Sequence, residues 1–214
     1  MSGRMKTVYI VGAGGFGREL LGWARQHPDC GKEWKIAGFL DDRIDALERF
    51  PGDRKVVSAI RDFSPDENDR LLVALGNPKI KNTVVRSLLS RGAKFLTFVH
   101  PSAILGENVV LGEGVVICPR CVLTSDIVVG EFAMYNVAST SGHDVHVGAF
   151  CTLSGQCELT GGVILEEGVF LGCHALVIPG KRVGAWATVG AGSVVINDVK
   201  PGATVFGNPA KKIA

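Results

Sequence analysis

Apolar side chains return every sixth residue between Ala103 and Asp198. These 96 residues divide into sixteen groups of six with no insertion or deletion. The third residue of each hexad is aliphatic except at Tyr135 and Ser141, and glycine recurs at the fourth. A period of six is neither the 3.6 of a helix nor the two of a simple strand, and strict repetition is typical of stacked repeats. The pattern therefore predicts a solenoid.

The hexads predict short strands that wind three to a coil. One apolar side chain per hexad points to a common axis, and we expect the fourth-position glycine to bend the chain by adopting a positive φ. Three hexads close a coil of 18 residues, so residues n and n+18 stack at the strand spacing of ~4.8 Å. The break at Ser141 indicates a functional site, because such sites depart from the pattern of their fold.

A different pattern precedes the hexads. Apolar strands over 7–11, 34–40 and 70–75, with an amphipathic helix after the first strand and another after the third, predict a small Rossmann-like α/β domain. The first strand leads into Gly12-Ala13-Gly14-Gly15-Phe16-Gly17, and Asp41-Asp42 follow the second. This arrangement matches the G-x-G-x-x-G dinucleotide fingerprint, which has an acidic residue about 20 positions later. A tight turn that binds no ligand is the alternative explanation.

Three segments are predicted to lie on one rim of this sheet. Ligands of open α/β sheets bind beyond the carboxyl ends of the strands, where the glycine turn, Asp41-Asp42 and Gly76-Asn77 are expected. The domain ends near Val99 and provides half of a full dinucleotide fold. We therefore expect a mononucleotide or a nucleotide-linked sugar rather than NAD.

The segment Lys79–Arg91 is predicted to be a helix, and Phe95–Val99 the last strand before the hexads. The apolar residues expected to face inward from this helix are Ile80, Val84, Val85, Leu88 and Leu89. The predicted regions are a nucleotide-sugar-binding domain over residues 1–100, a β-helix over 101–198 and a C-terminal tail over 199–214.

The composition narrows the partners and the compartment. A formal net charge of +2 gives no reason to expect nucleic acid or an anionic membrane. No apolar run approaches a membrane span, and the N-terminus leads straight into a strand rather than forming a signal peptide. We expect a cytoplasmic protein.

The cysteines are expected to pack in the core rather than bind metal. Cys121, Cys151 and Cys157 take the first position of their hexads, where small residues such as Ala175 also occur. Cys118 and Cys121 form a C-x-x-C, but one such pair inside an unbroken repeat is weak evidence for zinc or redox chemistry. No metal site is expected.

The candidate general base is His143. Its hexad, Ser139–Asp144, is the least apolar of the sixteen. Histidine titrates near neutral pH and can accept a proton from an amine or a hydroxyl, and Asp144 would orient its ring. The 18-residue period places Gly161 directly above His143, where its N–H would stabilise an oxyanion. An exposed His-Asp pair and one more turn glycine are the alternative explanations.

These motifs together resemble the NeuD/PglD family of sugar acetyltransferases, which carry hexapeptide repeats. The resemblance rests on the glycine turn, Asp41-Asp42, Gly76-Asn77, His143-Asp144 and the ending Gly207–Lys211. It implies a left-handed parallel β-helix and a homotrimer with acetyl-CoA bound between neighbouring subunits. It also implies a nucleotide-linked amino sugar as substrate and no metal.

The resemblance assigns a role to individual residues. His143 is the general base, Asp144 its orienting acid and Gly161 the oxyanion donor. The residues expected to bind the nucleotide sugar are Gly12, Gly14, Gly15, Phe16, Gly17, Asp41, Asp42, Gly76, Asn77 and Asn136. The residues expected to contact acetyl-CoA are Thr152, Thr160, Gly161, Gly172, Cys173 and Lys211.

The sequence departs from some members of the family at two positions. Thr152 stands nine residues after the base, where some members carry a second histidine. Asp144 replaces the glutamate that others place beside the base, and its side chain is shorter.

The predicted reaction is acetyl transfer from acetyl-CoA to the amino group of a nucleotide-linked sugar, by direct attack on the thioester. O-acetylation of a sialic acid or another sugar hydroxyl is the near alternative. A non-catalytic scaffold that binds sugar nucleotides is an alternative of another class, and a nicotinamide-dependent oxidoreductase is the weakest.

Overall fold

The computed structural model describes residues 5–213, and their contacts divide into two units. The N-terminal unit comprises the described residues up to Leu75 together with Thr83–Leu96. The solenoid unit comprises Gly76–Asn82 and the described residues from Thr97 onward.

The N-terminal unit is built on a four-stranded parallel sheet of order β3-β2-β1-β4. Its strands are β1 (Lys6–Val11), β2 (Trp34–Leu40), β3 (Val56–Ser58) and β4 (Asp69–Val73), and its first helix is α1 (Gly15–Gln26). Strand β1 pairs with β2 on one side and with β4 on the other, and its buried side chains are apolar, as expected for an inner strand of a parallel sheet. Helix α1 buries Leu20, Leu21 and Ala24. The predicted Rossmann-like domain is confirmed.

Helix α2 (Pro78–Leu89) begins in the solenoid unit and ends in the N-terminal unit. Its fully buried side chains are Lys81, Val85 and Leu88, at the i, i+4, i+7 spacing of one helical stripe. The predicted inward face was wrong for Ile80, which is 56% exposed, and for Leu89, because both lie beside that stripe.

The solenoid unit has three faces, each a parallel sheet apart from one terminal antiparallel strand. The first face contains β5 (Phe98–Val99), β8 (Val116–Ile117), β11 (Met134–Tyr135), β14 (Thr152–Leu153), β17 (Phe170–Leu171), β20 (Thr188–Val189), β22 (Thr204–Phe206) and the antiparallel β23 (Lys211–Lys212). The second contains β6 (Ile104–Leu105), β9 (Val122–Leu123), β12 (Thr140–Ser141), β15 (Glu158–Leu159), β18 (Leu176–Val177) and β21 (Val194–Val195). The third contains β7 (Val110–Leu111), β10 (Val128–Val129), β13 (His146–Val147), β16 (Ile164–Leu165) and β19 (Arg182–Val183).

Within the hexads, neighbouring strands of a face are 18 residues apart, as Val129 with Val147 and Val147 with Leu165 show. Third-position side chains such as Leu153 and Leu171 are fully buried along the axis. The hexad pattern therefore predicted both the period and the core, and the parallel β-helix is confirmed. The left-handed winding stays an expectation from the resemblance.

The bend of each coil lies at a different hexad position from the predicted one. Positive φ angles occur at the sixth position, at residues such as Asp144 (φ 60°) and Phe150 (φ 59°), and not at the fourth. Glycine recurs at the fourth position for a steric reason: a Cβ on Gly112 would lie 2.6 Å from the Glu131 backbone nitrogen of the next coil. The expected positive φ at the fourth position was wrong.

The two breaks in the apolar column compensate each other. Tyr135 is fully buried, and its hydroxyl lies 2.8 Å from the Ser141 hydroxyl inside the core. The large phenol occupies the space that a small serine leaves, and the two hydroxyls satisfy each other. Core packing therefore accounts for Ser141 without a functional role.

The three cysteines at the first position of their hexads are core residues, as predicted. Cys121, Cys151 and Cys157 are at most 1% exposed, and none of them forms a disulfide. Burial raises the pKa of Cys121 to about 11 and that of Cys157 to about 12, so these thiols stay protonated and unreactive.

Candidate active site

His143 and Asp144 lie together at the turn between the second and third faces. We call residues 142–144, 160–162 and 178–180 of this turn the histidine edge. The His143 Nδ1 lies 2.7 Å from the Asp144 Oδ2, and both side chains are about two-thirds exposed. With the carboxylate ionised, Nδ1 donates to it, and Nε2 is left as the ring atom able to accept a proton.

Gly161 lies against the imidazole of His143. A Cβ on Gly161 would lie 2.6 Å from both Cε1 and Nε2 of the ring, so any larger residue would displace it. The neighbouring Gly162 N–H donates to the His143 carbonyl at 2.8 Å, which holds the two coils in register. Within residues 5–213 the Gly161 N–H donates to no carbonyl, and it is therefore available to a bound oxyanion.

The histidine edge carries little side-chain bulk above His143. The next coils place Gly161 and Gly162, then Pro179 and Gly180, along it. A Cβ on Gly180 would meet nothing within 4 Å. The backbone of the histidine edge is therefore accessible from the imidazole to Gly180, and an extended chain could lie against it.

Three other predicted residues lie on a different edge of the solenoid. Asn136, Gly172 and Cys173 follow strands of the first face, at the turn that leads to the second face, which we call the cysteine edge. Asn136 is half-buried, with Oδ1 accepting from the Val137 N–H, whereas Cys173 is exposed. One chain therefore does not bring these residues together with His143, because the second face separates the two edges.

The remaining predicted cofactor contacts have varied positions. Thr160 is next to Gly161, and its hydroxyl donates to the Val177 carbonyl at 2.7 Å. Thr152 is 1% exposed on the first face, and its hydroxyl accepts from the Lys81 ammonium group or amine at 3.0 Å. Burial leaves no Thr152 side-chain surface for direct contact with a cofactor. Lys211 is exposed on β23.

The glycine turn of the N-terminal unit contains glycines of two kinds. Gly12 has a φ of 102° and Gly17 packs against the Gly12 carbonyl, so both are required by the chain itself. A Cβ on Gly14 would meet nothing within 4 Å, and one on Gly15 only an Arg18 nitrogen at 4.0 Å. The first N–H groups of α1 have no partner inside the helix, so this open space faces an anion-binding terminus. Phe16 follows, with its ring 6.3 Å from that of Trp23.

The two predicted aspartates have different environments. Asp41 is 8% exposed and accepts from the Ala13 N–H at 2.8 Å and from the Arg43 N–H at 2.9 Å. Burial raises the pKa of Asp41, but these N–H groups and the Arg43 guanidinium outweigh it and hold the pKa below its ordinary value. Asp41 therefore braces the glycine turn, whereas Asp42 is exposed and accepts from the Arg61 N–H at 3.3 Å.

The Gly76-Asn77 turn lies in the solenoid unit, at the start of α2. Asn77 Oδ1 accepts from the Lys79 N–H at 3.0 Å and from the Ile80 N–H at 3.1 Å, which makes it the N-cap of the helix. A Cβ on Gly76 would meet nothing within 4 Å. The exposed Asn77 keeps its amide NH₂ for a ligand.

Several known proteins are similar to this chain in sequence and in structure. The profile of the PglD N-terminal domain matches residues 7–88. The GDP-perosamine N-acetyltransferase of Escherichia coli O157:H7 is 29% identical and aligns with 98% of this chain and 97% of its own. PerB from Caulobacter crescentus, solved in complex with CoA and GDP-perosamine, has a TM-score of 0.85 and 30% identity over 99% of each chain.

This chain belongs to the NeuD/PglD-like family of sugar acetyltransferases. A further protein of similar structure is the acetyltransferase domain of PglB from Neisseria gonorrhoeae FA1090 in complex with acetyl coenzyme A. It has a TM-score of 0.81 and 27% identity, and the match covers 98% of this chain and all of that one. The predicted family, enzyme class and acetyl-CoA co-substrate are confirmed.

Two residues of this NeuD/PglD-like chain were missed by the sequence reasoning. Arg18 lies beside the glycine turn, with its guanidinium 3.8 Å above the Phe50 ring and a nitrogen 3.4 Å from the Ala13 carbonyl. A cation one turn into the helix after the glycines was the available signal. Lys81 is the second, and its place in the buried stripe of α2 was the signal.

Two further structural findings concern this family member. No group of three or more His, Cys, Asp or Glu side chains in residues 5–213 is arranged to hold a metal ion. Neither described helix has the length and hydrophobicity needed to cross a membrane.

Proposed function

We propose that this protein transfers the acetyl group of acetyl-CoA to the amino group of a nucleotide-linked amino sugar. The observation that carries the proposal is the His143–Asp144 pair, whose imidazole lies against Gly161, a residue whose N–H has no carbonyl partner within residues 5–213. It supplies a base with a defined acceptor atom and an oxyanion donor on one edge. Relatives named as N-acetyltransferases and the GDP-perosamine in the PerB complex support an amine acceptor.

The proposed reaction proceeds by direct attack. The amine nitrogen bonds to the thioester carbonyl carbon, and His143 Nε2 takes the proton that the nitrogen loses. The carbonyl oxygen becomes an oxyanion, which the Gly161 N–H stabilises. The C–S bond then breaks, the carbonyl re-forms, and the departing thiolate receives the proton from the imidazolium. Asp144 stabilises that imidazolium throughout.

We propose that the pantetheine arm of acetyl-CoA lies along the histidine edge. Gly162 and Gly180 leave the backbone uncovered there, so a narrow chain can approach it closely. Coils stack at ~4.8 Å, so two coils above His143 extend about 10 Å along the arm. Thr160 and Gly161 are the contacts nearest the thioester in this arrangement.

We propose that two chains complete each site in a homotrimer. Asn136, Gly172 and Cys173 lie on the cysteine edge, which the second face separates from His143 within one chain. A neighbouring copy presenting its cysteine edge to the histidine edge would unite the two sets of residues. Closed cyclic symmetry provides such repeated pairings.

The nucleotide is proposed to bind at the glycine turn of the N-terminal unit. Open space at Gly14 and Gly15, the start of α1 and the nearby Arg18 favour a phosphate there. The exposed Asp42 is the proposed contact to the nucleobase, whereas Asp41 holds the turn. Asn77 is proposed as a further contact to the nucleotide sugar.

The test is a substrate screen with acetyl-CoA. Purified protein is mixed with GDP-, UDP- and dTDP-linked amino sugars and with matched sugars that carry a hydroxyl instead, and released thiol and product mass are measured. We expect thiol release and an added acetyl group with amino sugars only. Acetylation of the hydroxyl sugars at equal rates would establish the O-acetylation alternative. Binding without turnover would establish the scaffold alternative.

Mixed trimers test the shared site. His143→Ala removes the base, and Cys173→Trp fills the exposed cysteine edge with a bulky ring. Each variant alone should be inactive. Co-refolded mixtures should regain activity, because some interfaces then pair an intact histidine edge with an intact cysteine edge. No recovery, or a monomer in sedimentation, would rule out the shared site.

A further inference from the structure

Lys81 is the one lysine or arginine of residues 5–213 that is buried. It is 1% exposed, and its Nζ donates to the Cys151 carbonyl at 3.1 Å and to the Thr152 hydroxyl at 3.0 Å. Both acceptors belong to the first face of the solenoid, and Lys81 is itself part of the solenoid unit. A long side chain from the first turn of α2 is therefore anchored in that face.

The surroundings of Lys81 suit an uncharged amine. Two neutral acceptors match the two N–H bonds of an amine, whereas an ammonium group would have three N–H bonds to satisfy. Burial lowers the pKa of Lys81 from its ordinary 10.5 to about 7. Burial raises the pKa of the neighbouring Cys151 thiol to about 12, so this thiol stays neutral beside the amine, and the charged group that acts on the thiol from further out is Glu167.

The anchor is connected directly to Asn77. The Lys81 backbone N–H donates to the Asn77 carbonyl at 2.9 Å, which is the first hydrogen bond of α2. The Asn77 side chain in turn caps the helix at Lys79 and Ile80. The Gly76-Asn77 turn therefore has a fixed position on the solenoid only while the first turn of α2 is held in place.

We propose that Lys81 is a positioning residue for the acceptor substrate, which fixes the Gly76-Asn77 turn on the first face through an uncharged amine. This rests on the proposed function, because Asn77 is there a contact to the nucleotide sugar. Protonation would place an unpaired charge in the buried site and loosen the turn. The KM for the nucleotide sugar should therefore rise in acid, while the KM for acetyl-CoA should not.

The experiment compares steady-state kinetics between pH 5.5 and 9 for the wild type, Lys81→Gln and Lys81→Met. Gln can still donate to Thr152 but does not titrate, and Met removes the hydrogen bonds at similar length. Lys79→Met, an exposed position on the same helix, is the matched control. Effects of pH that arise elsewhere in the protein act on all variants alike, so the differences between variants isolate Lys81.

For the wild type we expect the nucleotide-sugar KM to rise about tenfold from pH 8 to pH 6, since the ratio of protonated to neutral amine rises tenfold per pH unit and reaches about 10 one unit below a pKa of about 7. Lys81→Gln should have a near-normal KM at pH 8 that stays flat in acid. Lys81→Met should have a raised KM at every pH, with kcat and the acetyl-CoA KM little changed. Identical pH profiles in the wild type and Lys81→Gln would overturn the proposal.

A stability measurement keeps the test independent of turnover. The folded pKa of Lys81 is lowered, so the unfolded chain binds more protons between about pH 7 and 10.5. The unfolding equilibrium constant of the wild type should increase by up to about tenfold per unit as pH falls through this window. Lys81→Gln should lack that increment. Absence of acetyl transfer by the wild type would refute the proposed function alone, whereas an active wild type with an unchanged KM profile would refute only the role of Lys81.

Discussion

Two edges of the solenoid share one backbone conformation and differ in what their side chains do. At the histidine edge the sixth-position Asp144 is exposed and pairs with His143. At the turn between the third and first faces, Phe132 and Phe150 take the same positive φ, but their rings stack 5.3 Å apart at 15° and are almost fully buried. We call this second turn the aromatic edge.

The comparison shows that the coil fixes the backbone and leaves each edge free to acquire its own role. Aromatic rings on the aromatic edge cover the glycines below them, as Trp186 covers Gly168. Small residues on the histidine edge leave the backbone open. The aromatic edge therefore stabilises the fold, whereas the histidine edge carries the proposed chemistry. Substitutions at the aromatic edge should change the free energy of unfolding, and substitutions at the histidine edge should change kcat.

The largest effect is expected for His143→Ala. Loss of the proposed base should lower kcat by about 10²- to 10⁴-fold, measured as thiol release at saturating substrates. His146→Ala, an exposed histidine on the third face, is the matched control and should keep normal turnover. Near-full activity of a folded His143→Ala variant would show that the histidine edge does not supply the base of the reaction.

Phe150→Ala should lower the stability of the protein and leave its turnover nearly unchanged, in contrast to His143→Ala. Truncating a buried, stacked ring should lower the free energy of unfolding by about 3–5 kcal/mol. Denaturant unfolding gives this value, and kcat measured well below the melting temperature should stay within about twofold of the wild type. A fall in kcat as large as that of His143→Ala would show that the two edges are not independent.

Gly161→Ala tests the contact between the coils at the histidine edge. The added Cβ must push the imidazole aside, and a displacement of about 1 Å can cost about 10²-fold in kcat. If the loss arises through the ring, adding Gly161→Ala to His143→Ala should cause little further decrease. Full additivity of the two losses would contradict this explanation.

The smallest effects concern a matched pair of aspartates on one edge. Asp144 and Asp126 are one coil apart with φ values of 60° and 56°, and asparagine tolerates that conformation. Asp144→Asn should lower kcat about tenfold, because an amide can favour the wrong imidazole tautomer. Asp126→Asn should leave kcat unchanged and stability within about 0.5 kcal/mol. Equal kcat values for the two variants would contradict the proposed role of Asp144 in orienting the imidazole.

The repeat made the solenoid predictable from sequence. A period of six specifies which side chains face the axis, and the 18-residue step then places Gly161 above His143. The turn geometry was not predictable in the same way. Glycine occupies the fourth position because a side chain there would collide with the next coil, whereas the bend with positive φ occurs at the sixth position. Pattern alone does not distinguish these two uses of glycine.

Residues that depend on long-range contacts were the ones missed. Lys81 reads as a surface lysine until its acceptors on Thr152 and Cys151 are known, and those lie some 70 residues away. Asp41 reads as a ligand-binding acid, whereas the structure uses it to brace Ala13. The sequence contains the residue types but not the packing that decides their partners.

The hydroxyl contact between Tyr135 and Ser141 makes the two positions of this coil energetically dependent on each other. Replacing either residue alone strands a hydroxyl in a dry interior or leaves a void, whereas exchanging both for ordinary aliphatic residues removes both penalties together. The two sites should therefore covary among descendants of this chain, and intermediates with one change should be rare.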